Sequence, residues 1–295
     1  MHCYPDFIII GAMKCATTTL HEQLARQPCL FMSRPKEPNF FSDDPVYARG
    51  LDWYSDLFAC AEEGALCGES STHYTKLPTY PDTVSRLASA LPDIKLIYVM
   101  RHPIDRLVSH YVHGVTTGEI AVGIHEAVSA HRELIDYGRY AMQLEPFVRT
   151  FGPERILPVF FRRLVRFPQD EIDRIGRFLG APERLRWDDS LRPQNVGSER
   201  LRRSTLREIL VQVPVLSTLR KRVVPKPVTE SIKALWRTRT EPPRPSPELI
   251  RRLRAVFDDD LDQLGSWLGT RLDCDRFVDA TGTQALEWAP AAYRL

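Results

Sequence analysis

The stretch FIIIGAMKCATTTLHEQL, residues 7 to 24, decides how the rest of the chain is read. Phe7 to Ile10 is a short β-branched run between Asp6 and Gly11, which predicts a buried strand. Thr17 to Gln27 carries Leu20 and Leu24 on one face and stops before Pro28, which predicts a helix. A strand, a glycine, a lysine and a hydroxyl-rich helix start make a phosphate-binding arrangement. Backbone N–H groups at a helix N-terminus favour an anion, and Lys14 adds a point charge. Thr17, Thr18 and Thr19 add hydroxyl donors. Yet this is not the common nucleotide loop, G-x-x-x-x-G-K-[ST]. Lys14 comes three residues after Gly11, and no second glycine precedes it. With no evident acidic magnesium ligand after a strand, the loop suits one or two phosphate-like groups held without metal.

Working outward, ALCGES (65–70), IKLIYVM (94–100) and RILPVFF (155–161) read as further strands. Helices are expected over Asp82 to Leu91, Pro103 to Gly114, Arg139 to Phe151 and Pro168 to Leu179. Pro103 suits a first turn, where its missing N–H costs nothing. Alternating strands and helices imply an α/β fold: a P-loop-like, mostly parallel sheet with helices on both faces. Ligands of such sheets sit beyond the carboxyl ends of the strands. That places Gly11–Thr19, Glu69–Tyr74 and Arg101–Pro103 on one rim. After about residue 190 the pattern changes. VVPKPV (223–228) and EPPRPSP (241–247) divide short basic helices, and a last helix is expected from Pro247 to Leu268. The tail from Asp273 to Leu295 has weak periodicity. One domain over 1–295 is expected, with a basic helical lid or extension at 200–270 within it.

The 295 residues carry a net charge of +2, so the whole-molecule balance points to no special partner, and no nucleic-acid partner is expected. From Arg200 to Arg254, however, 15 Lys/Arg face 4 Asp/Glu. Such a stretch could meet an anionic ligand, an acidic lipid surface or nucleic acid, or it is simply a solvated helical face. The six cysteines (Cys3, Cys15, Cys29, Cys60, Cys67 and Cys274) form no C-x-x-C pair and no zinc pattern. They are read as reduced thiols. The start, MHCYPDF, has neither a basic n-region nor a long apolar run. A cytoplasmic protein without a metal site is expected.

Three other stretches bear on chemistry. In YVMRHPIDRLVSHY (98–111), Arg101 ends a strand and Ser109 follows eight residues later. An arginine there can fork onto a phosphate with a serine sharing the load; the ordinary alternative pairs Arg101 with Asp105 and turns Ser109 to the core. In RPKEPNFFSDD (34–44), Glu37 precedes two phenylalanines. Burial against Phe40 and Phe41 would raise its pKa, as suits a general base; the alternative is a surface carboxylate beside Lys36. GESSTHYT (68–75) brings His73 to a strand end, where a structural histidine is the commoner outcome.

Together these stretches resemble the sulfotransferases that use 3′-phosphoadenosine-5′-phosphosulfate (PAPS). The similarity is to the branch holding the heparan sulfate N- and 3-O-sulfotransferase domains and their bacterial relatives. IIIGAMKCATTTL resembles the 5′-phosphosulfate loop, G-x-x-K-[GS]-[GT]-T-[ST]-x-L, with Cys15 and Ala16 in place of the usual small residues. RHPIDRLVSHY resembles the 3′-phosphate motif R-x-P-x-x-R-x-x-S. KEPNFF followed by GLDWY resembles the substrate-side segment, and GESSTHY resembles G-E-x-[ST]-P-x-Y. Order and spacing agree over roughly residues 6 to 200. Two departures stand out: Ser70 replaces a lysine frequent in the glycan branch, and Thr72 stands where proline is common. RPQNVGSERLRRS (192–204) resembles the N-x-x-S segment of bacterial members. Spacing does not separate Arg200 from Arg202 as a cofactor contact there, and Arg202 is carried forward.

The resemblance implies sulfuryl transfer from PAPS, leaving 3′-phosphoadenosine-5′-phosphate (PAP). The acceptor would be a small-molecule, glycan or lipid hydroxyl or amine. Lys14 would neutralise the leaving oxygen. Cys15, Ala16, Thr17, Thr18 and Thr19 would hold the 5′-phosphate, and Arg101 and Ser109 the 3′-phosphate. Glu37 would be the base, with His73 in reserve. A P-loop nucleotide kinase and a non-catalytic nucleotide-binding module are the rival readings. The first needs a glycine before the loop lysine; the second has no use for Glu37.

Overall fold

Five parallel strands carry the molecule. β1 (Phe7–Gly11), β2 (Leu30–Met32), β3 (Leu66–Ser70), β4 (Lys95–Met100) and β5 (Ile156–Phe160) lie in the order β2-β3-β1-β4-β5. The computed structural model describes residues 4–191, 200–201, 237–238 and 243–294. Phe7 to Ile10 are fully buried because β1 is the central strand and both sheet faces are covered, which is why it reads as an unbroken apolar run. β2 is a three-residue edge strand, too short to be anticipated from periodicity.

The helices are α1 (Thr17–Leu24), α2 (Asp44–Tyr47), α3 (Gly50–Asp56), α4 (Thr83–Ala90), α5 (Pro103–Thr117), α6 (Ile124–Ala130), α7 (Glu133–Asp136), α8 (Tyr140–Phe151), α9 (Phe161–Arg166), α10 (Pro168–Leu179), α11 (Pro247–Trp267) and α12 (Phe277–Thr283). α1 ends a turn before the expected Gln27. The amides of Arg26 and Gln27 bond three residues back, to Gln23 and Leu24, and tighten the chain. The buried Gln23 and Gln27 side chains then grip the backbone of Asp188 and Arg186.

The strand–loop–helix junction is set by Gly11. The β1–β4 register shifts between Ile9 and Gly11, and Gly11 takes φ +155°. A Cβ there would stand 2.0 Å from Oγ1 of Thr75, whose hydroxyl donates to the Ile10 carbonyl at 2.7 Å. Any side chain at this position would break that contact.

α11 lays Leu249, Leu253, Phe257, Leu261 and Leu264 into the core against α8 and α5. From the same helix, Asp260 accepts the amides of Ala141 and Met142, both at 3.0 Å. It caps α8, which has no side-chain cap of its own. The lid expected over 200–270 lies mostly outside the described residues. Its helix α11 is not basic, with three arginines against five carboxylates. The tail is more ordered than its periodicity suggests: α12 packs on α9, and Trp288 Nε1 donates to the Ile156 carbonyl at 2.6 Å. Among the described residues no helix is long and apolar enough to cross a membrane.

Candidate active site

A cleft of about 1580 Å³ opens where the segments leaving β1, β3, β4 and β5 meet. Lys14, Ala16, Thr17, Thr18, Thr19, Glu37, His73, Arg101 and Ser109 all line it. Parallel register explains the convergence: Ile8 lies opposite Glu69 on one side and Leu96 on the other, so the three strands end together.

The loop after β1 turns through left-handed backbone at Lys14 (φ 71°) and Ala16 (φ 68°). Each costs a non-glycine residue roughly 1–2 kcal/mol, and such strain persists only where the surroundings fix it. Cys15 supplies part of that fixing. Its side chain is fully buried and turned away from the cleft, with Sγ 3.8 Å from the Tyr140 hydroxyl. Burial pushes its thiol above the ordinary value. Cys15 therefore offers only backbone to a ligand. α1 begins after Ala16 with no side-chain cap, and a helix N-terminus of this kind favours an anion.

Arg101 follows β4. Its guanidinium lies over the Phe161 ring, 4.9 Å from the centroid, and its Nε is buried with no hydrogen bond among the described residues. It does not pair with Asp105, which stands 4.0 Å from His102. Ser109 lines the cleft two turns along α5 rather than facing the core. A guanidinium and a hydroxyl that line the same part of the cleft suit a phosphate there.

The other half of the cleft hangs from β3. The Glu37 amide donates to the Ser70 carbonyl at 2.9 Å, and the Asn39 amide to Ser71 Oγ at 3.0 Å. The Glu37 carboxylate accepts from Thr72 Oγ1 at 3.3 Å and from the Lys36 ammonium. The expectation of a raised pKa is corrected here. Burial does pull the carboxyl up, but Lys36, by charge and hydrogen bond, and then Lys76 and His73 outweigh it, and the net shift is downward. Phe40 and Phe41 do not sheathe the carboxylate. They are buried with Tyr54, whose ring is 4.6 Å from that of Phe40.

His73 stacks on Tyr80 at 4.8 Å, and burial and Lys76 lower its pKa to about 4. It stays neutral and is a weaker base than an ordinary imidazole. Ser70, at the position of the absent motif lysine, is fully buried and bonds Nδ1 of His21 at 2.9 Å, tying α1 to β3. Arg200 and Arg202 cannot be placed in the cleft: nothing is described of the Arg200 side chain, and Arg202 lies outside the described residues.

Lys76 was missed. It is 9% exposed, lines the cleft beside Thr72 and His73, and has its ammonium 5.7 Å from the Tyr137 ring centroid. Burial lowers its pKa to about 8, against the opposing pull of Glu37 and Glu119. The only sequence signal was its place six residues past the end of β3. Tyr140, from another helix, carried no signal.

A family profile described as the sulfotransferase domain matches residues 4–201. The chain belongs to the sulfotransferase domain family. Among similar proteins, mouse heparan sulfate glucosamine 3-O-sulfotransferase 3A1 is 34% identical over 185 residues, 60% of this chain and 46% of that protein. The human bifunctional heparan sulfate N-deacetylase/N-sulfotransferase 2 is 28% identical over 210 residues, 64% of this chain and 23% of that protein. This sulfotransferase chain thus spans about half or less of the length of these relatives. A crystal structure of a sulfotransferase from Alicyclobacillus acidocaldarius shares its fold, with a TM-score of 0.66 at 23% identity, covering 92% of this chain and 98% of the other.

Proposed function

We propose that this chain moves a sulfuryl group from PAPS to a hydroxyl or amine acceptor, leaving PAP. The observation that carries the reading is the pairing of two anion sites in one cleft. The α1 start with Lys14 is one; Arg101 and Ser109, which line the same cleft, are the other. A donor with separate 5′ and 3′ anions suits both, and a nucleoside triphosphate leaves the second without use.

Sulfuryl transfer resembles phosphoryl transfer: positioning and charge stabilisation supply the rate. Lys14 and the α1 amides hold the 5′-phosphate and the charge growing on the bridging oxygen. Arg101 and Ser109 hold the 3′-phosphate. Glu37, ionised under the influence of Lys36 and Lys76, takes the acceptor proton as the new S–O bond forms. The old S–O bond breaks, and its electron pair leaves on the phosphate oxygen of PAP. The glycan acceptors named for the relatives make carbohydrate one acceptor class for this chain, beside lipids and other small molecules.

Incubation with radiolabelled PAPS and a panel of sugars, phenols and lipid alcohols tests this. Lys14→Ala and Glu37→Gln should each cut turnover by at least ~10²-fold, the scale of a lost charge stabiliser or base. Labelled phosphate moving from ATP instead would support the kinase. Binding of PAP with no transfer to any acceptor would support the binding module.

A further inference from the structure

Glu69 is a fully buried carboxyl at the end of β3, outside the cleft. Its Oε2 accepts the Ser71 hydroxyl at 3.3 Å. The phenols of Tyr54 and Tyr74 approach the same group. Two of these hydroxyls have a second task. Ser71 Oγ accepts the Asn39 amide at 3.0 Å, and the Tyr74 hydroxyl accepts the Phe41 amide at 3.3 Å. A hydroxyl has one proton and two lone pairs. With the Ser71 proton drawn to Glu69, its lone pairs are left for Asn39. The segment so held contains two left-handed non-glycine residues, Glu37 (φ 60°) and Asn39 (φ 54°). Backbone in that region relaxes unless neighbouring contacts over-determine it.

We infer that Glu69 is a positioning residue: through Ser71 it fixes the strained segment at Glu37 and Asn39 and so aims the Glu37 carboxylate into the cleft. This rests on the reading of Glu37 as the base. Glu69 itself touches no substrate, and the donor half, on β1 and β4, does not depend on it.

The test separates the two halves. Hydrogen exchange of Glu69→Ala and Ser71→Ala should show the 36–42 amides exchanging at least ~10-fold faster, with 11–19 and 101–109 as in the wild type. Glu69→Gln, which keeps an acceptor for Ser71, should stay protected. PAP affinity by calorimetry should not change. Turnover of PAPS with water as acceptor should fall in Glu69→Ala to within ~3-fold of Glu37→Gln, and the double variant should be no slower than Glu37→Gln alone. Unchanged exchange in 36–42, or a double variant slowed by the product of both single losses, overturns the inference. If Glu69→Ala does not fold, Ser71→Ala carries the test. Variants that loosen over 36–42 as expected, beside a wild type that never turns over PAPS, would sink the sulfuryl-transfer reading and leave the support of the segment by Glu69 standing.

Discussion

Tyr140 holds the backbone of Arg101 from both sides. Its hydroxyl donates to the Arg101 carbonyl at 2.5 Å and accepts the Arg101 amide at 3.2 Å. The first residue after β4 is thereby fixed from α8, which α11 in turn caps through Asp260. Tyr140→Phe removes both bonds without opening a cavity. It should cost about 1–2 kcal/mol in urea unfolding and weaken PAP several-fold. Full PAP affinity in a destabilised variant would show that Arg101 is positioned by other means.

Arg101→Ala should discriminate between ligands. PAP carries the 3′-phosphate and adenosine 5′-phosphate does not. Calorimetry should find PAP weakened by about 1.5–3 kcal/mol, the scale of a charged hydrogen bond, and the monophosphate barely altered. Equal weakening of both would remove Arg101 from the 3′ site.

Lys76→Met should move the acid limb of the pH–rate profile. Lys76 is one of the cations that, with Lys36, outweigh burial and hold the Glu37 carboxyl below its ordinary value. Removing it lets that pKa rise, so activity should begin to fail at a higher pH than in the wild type. Lys76→Arg should keep the wild-type limb. A limb that stays put in Lys76→Met would mean that Lys36 alone sets the base.

Glu69 should leave a mark on stability. Burial raises its carboxyl from 4.5 to about 7, against the opposing effect of Tyr74, Tyr54 and Ser71, with Glu37 adding to the rise. Between these values the unfolded chain releases the proton and the folded chain keeps it. Folding is then penalised increasingly as pH rises from 4.5 to about 7, by up to ~1.4 kcal/mol per unit, and the penalty is constant above. Glu69→Gln lacks this proton, so its stability relative to wild type should climb over that window. A difference that does not change with pH would place the Glu69 pKa outside it.

Much of this architecture was legible in the chain. β1, β4 and β5 announced themselves because strands buried on both faces are largely apolar, and Gly11, Pro28 and Pro103 punctuate the chain, whereas β3 is apolar only at its start and carries Glu69 and Ser70 into the interior. The rim assignment followed from parallel strands alone. Periodicity could not show β2, three residues long, or the tail, which is held by isolated anchors, the buried Phe277 and a carbonyl bond from Trp288, rather than by a repeating apolar face. The Glu37 pKa went astray for a related reason. Proximity to Phe40 and Phe41 in sequence suggested an apolar setting, but left-handed backbone at Glu37 and Asn39 turns the carboxylate towards Lys36 and Thr72 while the two rings enter the core. Lys76 and Tyr140 reach the site through tertiary packing, which no local pattern records.

The two halves of the cleft have separate roots. Lys14, Arg101 and Ser109 stand on the segments leaving β1 and β4, whereas Thr72, His73 and Lys76 follow β3 and Glu37 is hung from its last residue. Such a division makes the scaffold modular. The half proposed to meet the acceptor could then be exchanged, by evolution or by a designer, while the proposed donor grip is inherited, provided that the Ser70–His21 and Thr75–Ile10 links across the β1–β3 seam are kept.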